Sequence, residues 1–157
     1  MSTDSSEPTL KTLKNDDITL GTALEEEHDM LQRLTYWEKR REFLAYLLDH
    51  SAEIETIVSY HLNARTGSCH LAPLDQWLHG SFNMCLPVHV KTKNRPDKRV
   101  MFRLPLPYKA GEESFAGNME EKLRCEAATY IWIRNNCPDV PIPQLLGFAF
   151  GGIRCVS

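Results

Sequence analysis

No apolar run in the chain approaches the roughly 18 residues needed to cross a bilayer. The opening stretch, MSTDSSEPTLKTLKNDD, has no apolar segment that could serve as a secretory signal. Cys-x-x-Cys pairs are also missing. Cys69, Cys85, Cys125, Cys137 and Cys155 are odd in number and widely spread, which excludes a secreted disulfide framework and clustered zinc ligands. The six histidines are equally scattered, so no metal site is expected. A basic surplus is absent too: the net charge of −3 provides no footprint for nucleic acid. What remains is an ordinary balance, 42% hydrophobic and 25% charged residues over 157 positions. That is one globular domain's worth of chain. A soluble cytoplasmic protein without membrane or nucleic-acid partners is the expectation.

Residues 1–28 are polar, carry a solvated Glu25–Glu27 run and show no sustained period, so they read as a flexible leader. A helical extension follows over 29–64. Trp37, Arg41, Leu44 and Leu48 form one stripe, with Leu47 beside it. Ile54, Ile57, Val58, His61 and Leu62 form a second stripe, with Ser51 as the expected N-cap between them. His61, among apolar neighbours, reads as a packing residue rather than a ligand.

After NARTGS the period changes to two. Residues 70–78, 83–90 and 98–106 read as strands; in the third, Val100, Phe102 and Leu104 face one way and Met101 and Arg103 the other. The cations Lys91, Lys93, Arg95, Lys98 and Arg99 fall on the hairpin between the last two strands, and a solvated tip is the expected reading. A Pro/Gly-punctuated loop then leads to a helix from about Met119 to Asn135, with Asn118 and Glu121 as a capping box. CPDVPIP stops that helix. A short strand in QLLGFAF, a GG turn and the start of another strand complete an α+β chain.

Three features in this order can share one chemistry. Gly80 lies in a turn between strands, where a missing side chain lets backbone N–H groups approach phosphates. Arg103 is a cation in an otherwise apolar strand, and Glu126 shares a helical stripe with Leu123, Ala127 and Tyr130. A carboxylate on an apolar stripe needs a partner, and a strand cation fixed by a helix carboxylate is how kinases position a phosphate contact. Alone, a glycine turn or an Arg–Glu pair is more often structural; the combination favours the functional reading.

At these residues the chain resembles a known family. GSFNMCLPVHV, RVMFRLPLPY and EEKLRCEAATYIWIRNNCPDVPIPQLLGF resemble the N-terminal lobe of the aminoglycoside phosphotransferase-like, protein-kinase-like family in its fungal-type branch. The resemblance runs from about Cys69 to Phe150, and its most specific part is the stretch from Glu126 to Phe148. It implies a kinase-like small lobe over 65–157, an antiparallel sheet of about five strands with one packed helix. It also implies ATP and magnesium as cofactors. Gly80, Ser81, Phe82 and Asn83 would cover the phosphates, Arg103 would contact the α/β-phosphates, and Glu126 would hold Arg103 in place.

Two departures accompany the resemblance. Arg stands where many kinases have Lys, a planar fork in place of a point charge, and the loop has one glycine rather than three. A third difference matters more. The aspartates that orient the acceptor and bind metal in this family have no counterpart here, and Asp139 lies in a linker. The expected function is therefore a nucleotide-binding lobe, ancestrally serving ATP-dependent phosphoryl transfer to a small-molecule hydroxyl and inactive without the C-terminal catalytic lobe. The alternative is a non-catalytic kinase-like module that meets a protein partner through its exposed apolar face.

Overall fold

The computed structural model describes residues 8–11, 17–25, 30–92, 97–150 and 153–156. The chain divides into two compact units, Met1–Asp49 and His50–Ser157. Among the described residues no helix is long and apolar enough to cross a membrane.

In the first unit, part of the stretch expected as a leader has elements of its own. Strands β1 (Thr9–Lys11) and β2 (Asp17–Thr19) pair antiparallel, with Lys11 and Asp17 opposite each other and their charges 3.1 Å apart. Helix α1 (Leu20–Glu25) follows, and Thr19 accepts the Thr22 N–H at its start. Ile18 and Ala23 are buried together, with Leu34 of helix α2 (Met30–Asp49) packed on them. These elements are too short to leave a periodic signal in sequence. In α2 the buried residues are Tyr36 and Leu47, whereas Trp37 and Leu48 are exposed. The inward stripe therefore lies one position before the expected one. Two apolar stripes run side by side on this helix, and periodicity does not choose between them.

The second unit contains the larger sheet. Helix α3 (Ser51–His61) begins after His50 without a side-chain cap, so Ser51 lies one position inside the helix and does not cap it. Strands β3 (Cys69–Leu71), β4 (Leu78–His79), β5 (Asn83–Val90) and β6 (Lys98–Pro105) form one antiparallel sheet with β5 at its centre. Val88, Val90, Val100 and Cys69 are buried on one face against Val58 of α3, with Leu62 and Leu146 packed around them. Glu55 of α3 accepts the Leu71 N–H at 2.8 Å, covering an edge donor of β3 that the sheet leaves open. The other face of β6 shows Met101 and Arg103, as the alternation predicts. Of the basic hairpin, Lys91, Lys98 and Arg99 are exposed, while Lys93 and Arg95 lie outside the described residues.

The single strand expected over 70–78 is broken in two, and the cause is on the neighbouring strand. Pro87 sits in the middle of β5, where a residue without an N–H leaves a ladder acceptor unserved. Ala72 donates to the Pro87 carbonyl at 2.8 Å, but Pro87 has no N–H to return. The Trp77 indole supplies it: Nε1 donates to the Ala72 carbonyl at 2.8 Å in the buried interior. To bring Trp77 there, the chain leaves the ladder at Pro73, makes a 3-10 turn at Leu74–Gln76, and resumes pairing at Leu78 opposite Cys85.

The loop expected after β6 contains a short helix, α4 (Pro107–Ala110), ended by Gly111 in the left-handed region at φ 71°. Helix α5 (Asn118–Asn136) follows Gly117 at φ 100°. The expected Asn118–Glu121 capping box does not form. Instead the Glu112 carboxylate accepts the N–H groups of Gly117 at 2.8 Å and Met119 at 2.7 Å, while Asn118 donates to the Ala110 carbonyl. A carboxylate from the preceding loop reaches the helix start first, which frees Asn118 to tie α4 to α5.

The expectation of about five strands in one sheet is also corrected. β7 (Phe148–Phe150) and β8 (Ile153–Val156) pair with each other in a separate two-stranded sheet. Prolines at 138, 141 and 143 lack ladder donors, and the approach to β7 turns at Pro138–Asp139 and joins no sheet until Phe148. The architecture is α+β with antiparallel sheets.

Candidate functional site

The Gly80 turn is tight. The Gly80 N–H donates to the Asn83 carbonyl at 2.8 Å, which leaves only Ser81 and Phe82 at the exposed tip of the β4–β5 hairpin. Gly80 is not in a left-handed conformation. Its special demand is close approach, since a Cβ there would lie 3.2 Å from the Asn83 carbonyl oxygen. The tip is held from behind: Leu106 donates to the Phe82 carbonyl at 2.9 Å, and the Tyr108 hydroxyl lies 3.0 Å from His79 Nε2. α4, absent from the sequence reading, is what braces the turn.

Arg103 lies on β6 directly opposite Cys85 of β5. One guanidinium nitrogen is 3.4 Å from Glu126 of α5, so the pair expected from sequence is formed between strand and helix. The turn joins this pair through Asn83. With its amide oriented by the surrounding hydrogen bonds, Asn83 Oδ1 accepts from Arg103 at 2.6 Å and Nδ2 donates to the Phe82 carbonyl at 3.3 Å. Asn83, Arg103 and Glu126 are therefore in contact, and Gly80 is one hydrogen bond away. Ser81 and Phe82 stand at the tip above them, with Phe82 more than half exposed.

Lys122 is the member that sequence reading missed. Its Nζ pairs with Glu126 Oε1, one helical turn along the same face, while Arg103 takes Oε2. The i,i+4 spacing of Lys122 and Glu126 was the available signal. Half-exposed pairs of this kind add on the order of 1 kcal/mol or less to stability.

A concavity lies elsewhere, an apolar groove of about 650 Å³ between the C-terminal half of α5 and residues 137–148, lined by Tyr130, Arg134, Ile142, Leu145 and Phe148 among others. Asp139 lies exposed at its rim segment, away from the Arg103 cluster in sequence and in element. Among the described residues no group of three His, Cys, Asp or Glu side chains could hold a metal ion.

No known protein family, curated protein or solved structure matches this chain. The geometry defines a small α+β unit in which a braced glycine turn adjoins a strand–helix ion pair.

Proposed function

We propose that the 80–83 turn, Arg103 and Glu126 form the phosphate side of a nucleotide site in a kinase-like small lobe of the aminoglycoside phosphotransferase-like type. The observation that carries this reading is the Arg103–Glu126 contact between β6 and α5, joined to the glycine turn by Asn83. Arg103 offers a guanidinium fork to phosphate oxygens. Glu126 and Asn83 hold the fork in place before the ligand arrives, which lowers the ordering cost of binding. The turn brings backbone close to the same ligand, with no side chain at Gly80 in the way.

Magnesium fits less well. The described residues contain no ligand cluster for it, so no metal-dependent step is assigned to them. These residues bind; they do not supply an acceptor base, and phosphoryl transfer would draw that group from a helical lobe beyond them. The test is calorimetric titration of the chain with Mg·ATP, beside Arg103→Ala. Binding that the substitution abolishes supports the site, and binding that it leaves unchanged removes it.

The apolar groove favours a second reading, a non-catalytic module that meets a protein through this face. Ile131 and Trp132 of α5 are exposed as well, at 45% and 60%, and contiguous apolar surface of this kind marks contact sites. This reading expects self-association. A monodisperse monomer in sedimentation at high concentration argues against it.

A further inference from the structure

The cations at the candidate site outnumber the groups that can satisfy them. Glu126 spends both carboxylate oxygens, Oε1 on Lys122 and Oε2 on Arg103. The only other acceptor side chain that both cations reach, among the described residues, is Asn83. Its amide lies between them, and it has a single oxygen. Turned one way, that oxygen accepts from Arg103 at 2.6 Å. Turned the other way, it accepts from Lys122 at 3.4 Å, and the amide nitrogen then faces a donor. One oxygen cannot serve both. Lys122 and Arg103 together carry two positive charges against the one negative charge of Glu126. Lysine has three N–H donors and arginine five, so several remain unmatched.

We propose that Lys122 is a second anion-binding cation of this site, and that with Arg103 it clamps a polyphosphate chain rather than a single phosphate. The proposal rests on the nucleotide-phosphate reading and deepens it by naming the ligand class. The two cations come from different elements, β6 and α5, and meet over one carboxylate and one amide. A chain of linked phosphates can present oxygens to both at once, and it supplies the acceptors that the protein lacks. Lysine suits the second position because its ammonium is a compact charge on a flexible stem that can swing from Glu126 to the ligand. Its side chain is 27% exposed, enough to be reached from solvent.

The test is isothermal titration of the full chain with inorganic tripolyphosphate and, in parallel, with orthophosphate. The proteins are the unaltered chain, Lys122→Gln, Lys122→Arg and Arg103→Ala, each checked for folding by circular dichroism. Loss of one charge-assisted contact predicts that Lys122→Gln weakens tripolyphosphate about tenfold or more. Orthophosphate binding should change much less, and Lys122→Arg should recover most of the affinity. Two outcomes overturn the proposal. If Arg103→Ala abolishes tripolyphosphate binding but Lys122→Gln and Lys122→Arg bind like the unaltered chain, Lys122 only packs against Glu126 and the nucleotide reading stands alone. If the unaltered chain binds neither anion, both fall together.

Discussion

The Trp77 indole acts as the missing proline N–H, and this can be measured by replacing both partners. Trp77→Phe keeps an aromatic ring in the buried position but removes the Nε1 donor to the Ala72 carbonyl. Leaving a buried acceptor unserved costs about 1–3 kcal/mol. The smaller ring adds a packing loss on the order of 1 kcal/mol, so the single substitution should destabilise the chain by about 2–4 kcal/mol. Pro87→Ala restores an N–H at the place on β5 that faces Ala72, because Ala72 and Pro87 already form a hydrogen-bonded pair in the other direction. Its own cost is about 0.4–1 kcal/mol, from the freer unfolded chain. In that background Trp77→Phe should lose only the packing component, which gives a coupling of about 1–3 kcal/mol. Urea denaturation followed by far-ultraviolet circular dichroism measures all four corners of the cycle. A Trp77→Phe cost equal in both backgrounds, within about 0.5 kcal/mol, refutes the substitution of indole for proline N–H.

Two further outcomes follow from the same geometry. A Cβ at Gly147 would overlap the His61 imidazole, 2.7 Å from Cγ, 2.9 Å from Cε1 and nearer still to Nδ1. Gly147→Ala should therefore cost about 1–2 kcal/mol in thermal or urea unfolding, overpacking offset in part by the stiffer unfolded chain, and little in a His61→Ala background. Glu112 is held below its ordinary value of 4.5 by the Gly117 and Met119 N–H groups that its carboxylate accepts. A depressed carboxylate stabilises the fold above the ordinary value and loses that contribution as pH falls through the lowered one. Glu112→Gln should lower the melting temperature at neutral pH and flatten its decline on acidification. A decline as steep as that of the unaltered chain would show that the cap carries no charge-dependent stability.

The parts of the fold legible in sequence are those whose cause is local. β5 and β6 follow from strict alternation, and Val100 and Phe102 face the core while Met101 and Arg103 face away. The α5 stripe announced itself by setting Glu126 among apolar residues, and the need for a partner pointed to Arg103. The break between β3 and β4 was hidden because its cause is Pro87, fourteen or so residues on and across the ladder, where the period of 70–78 gives no hint. The α5 start is not legible because Asn118 and Glu121 satisfy a capping pattern, while Glu112 takes the helix N–H groups by reaching forward from the preceding loop. The period alone groups α3 with the preceding helix, yet Val58, Leu62 and Glu55 place it with the sheet. Lys122 is not legible because a lysine on a helix is ordinarily solvated, and its sharing of the Glu126 carboxylate with Arg103 depends on a strand far away in sequence.

The central claim is that phosphates bind at the braced glycine turn rather than in the apolar groove. Amide chemical-shift mapping of the labelled chain during a Mg·ATP titration tests this most directly. The account predicts saturable shifts concentrated at Gly80–Asn83, Arg103 and Lys122–Glu126, absent in Arg103→Ala. Shifts centred on Tyr130 and residues 142–148, or none at millimolar nucleotide, would contradict it.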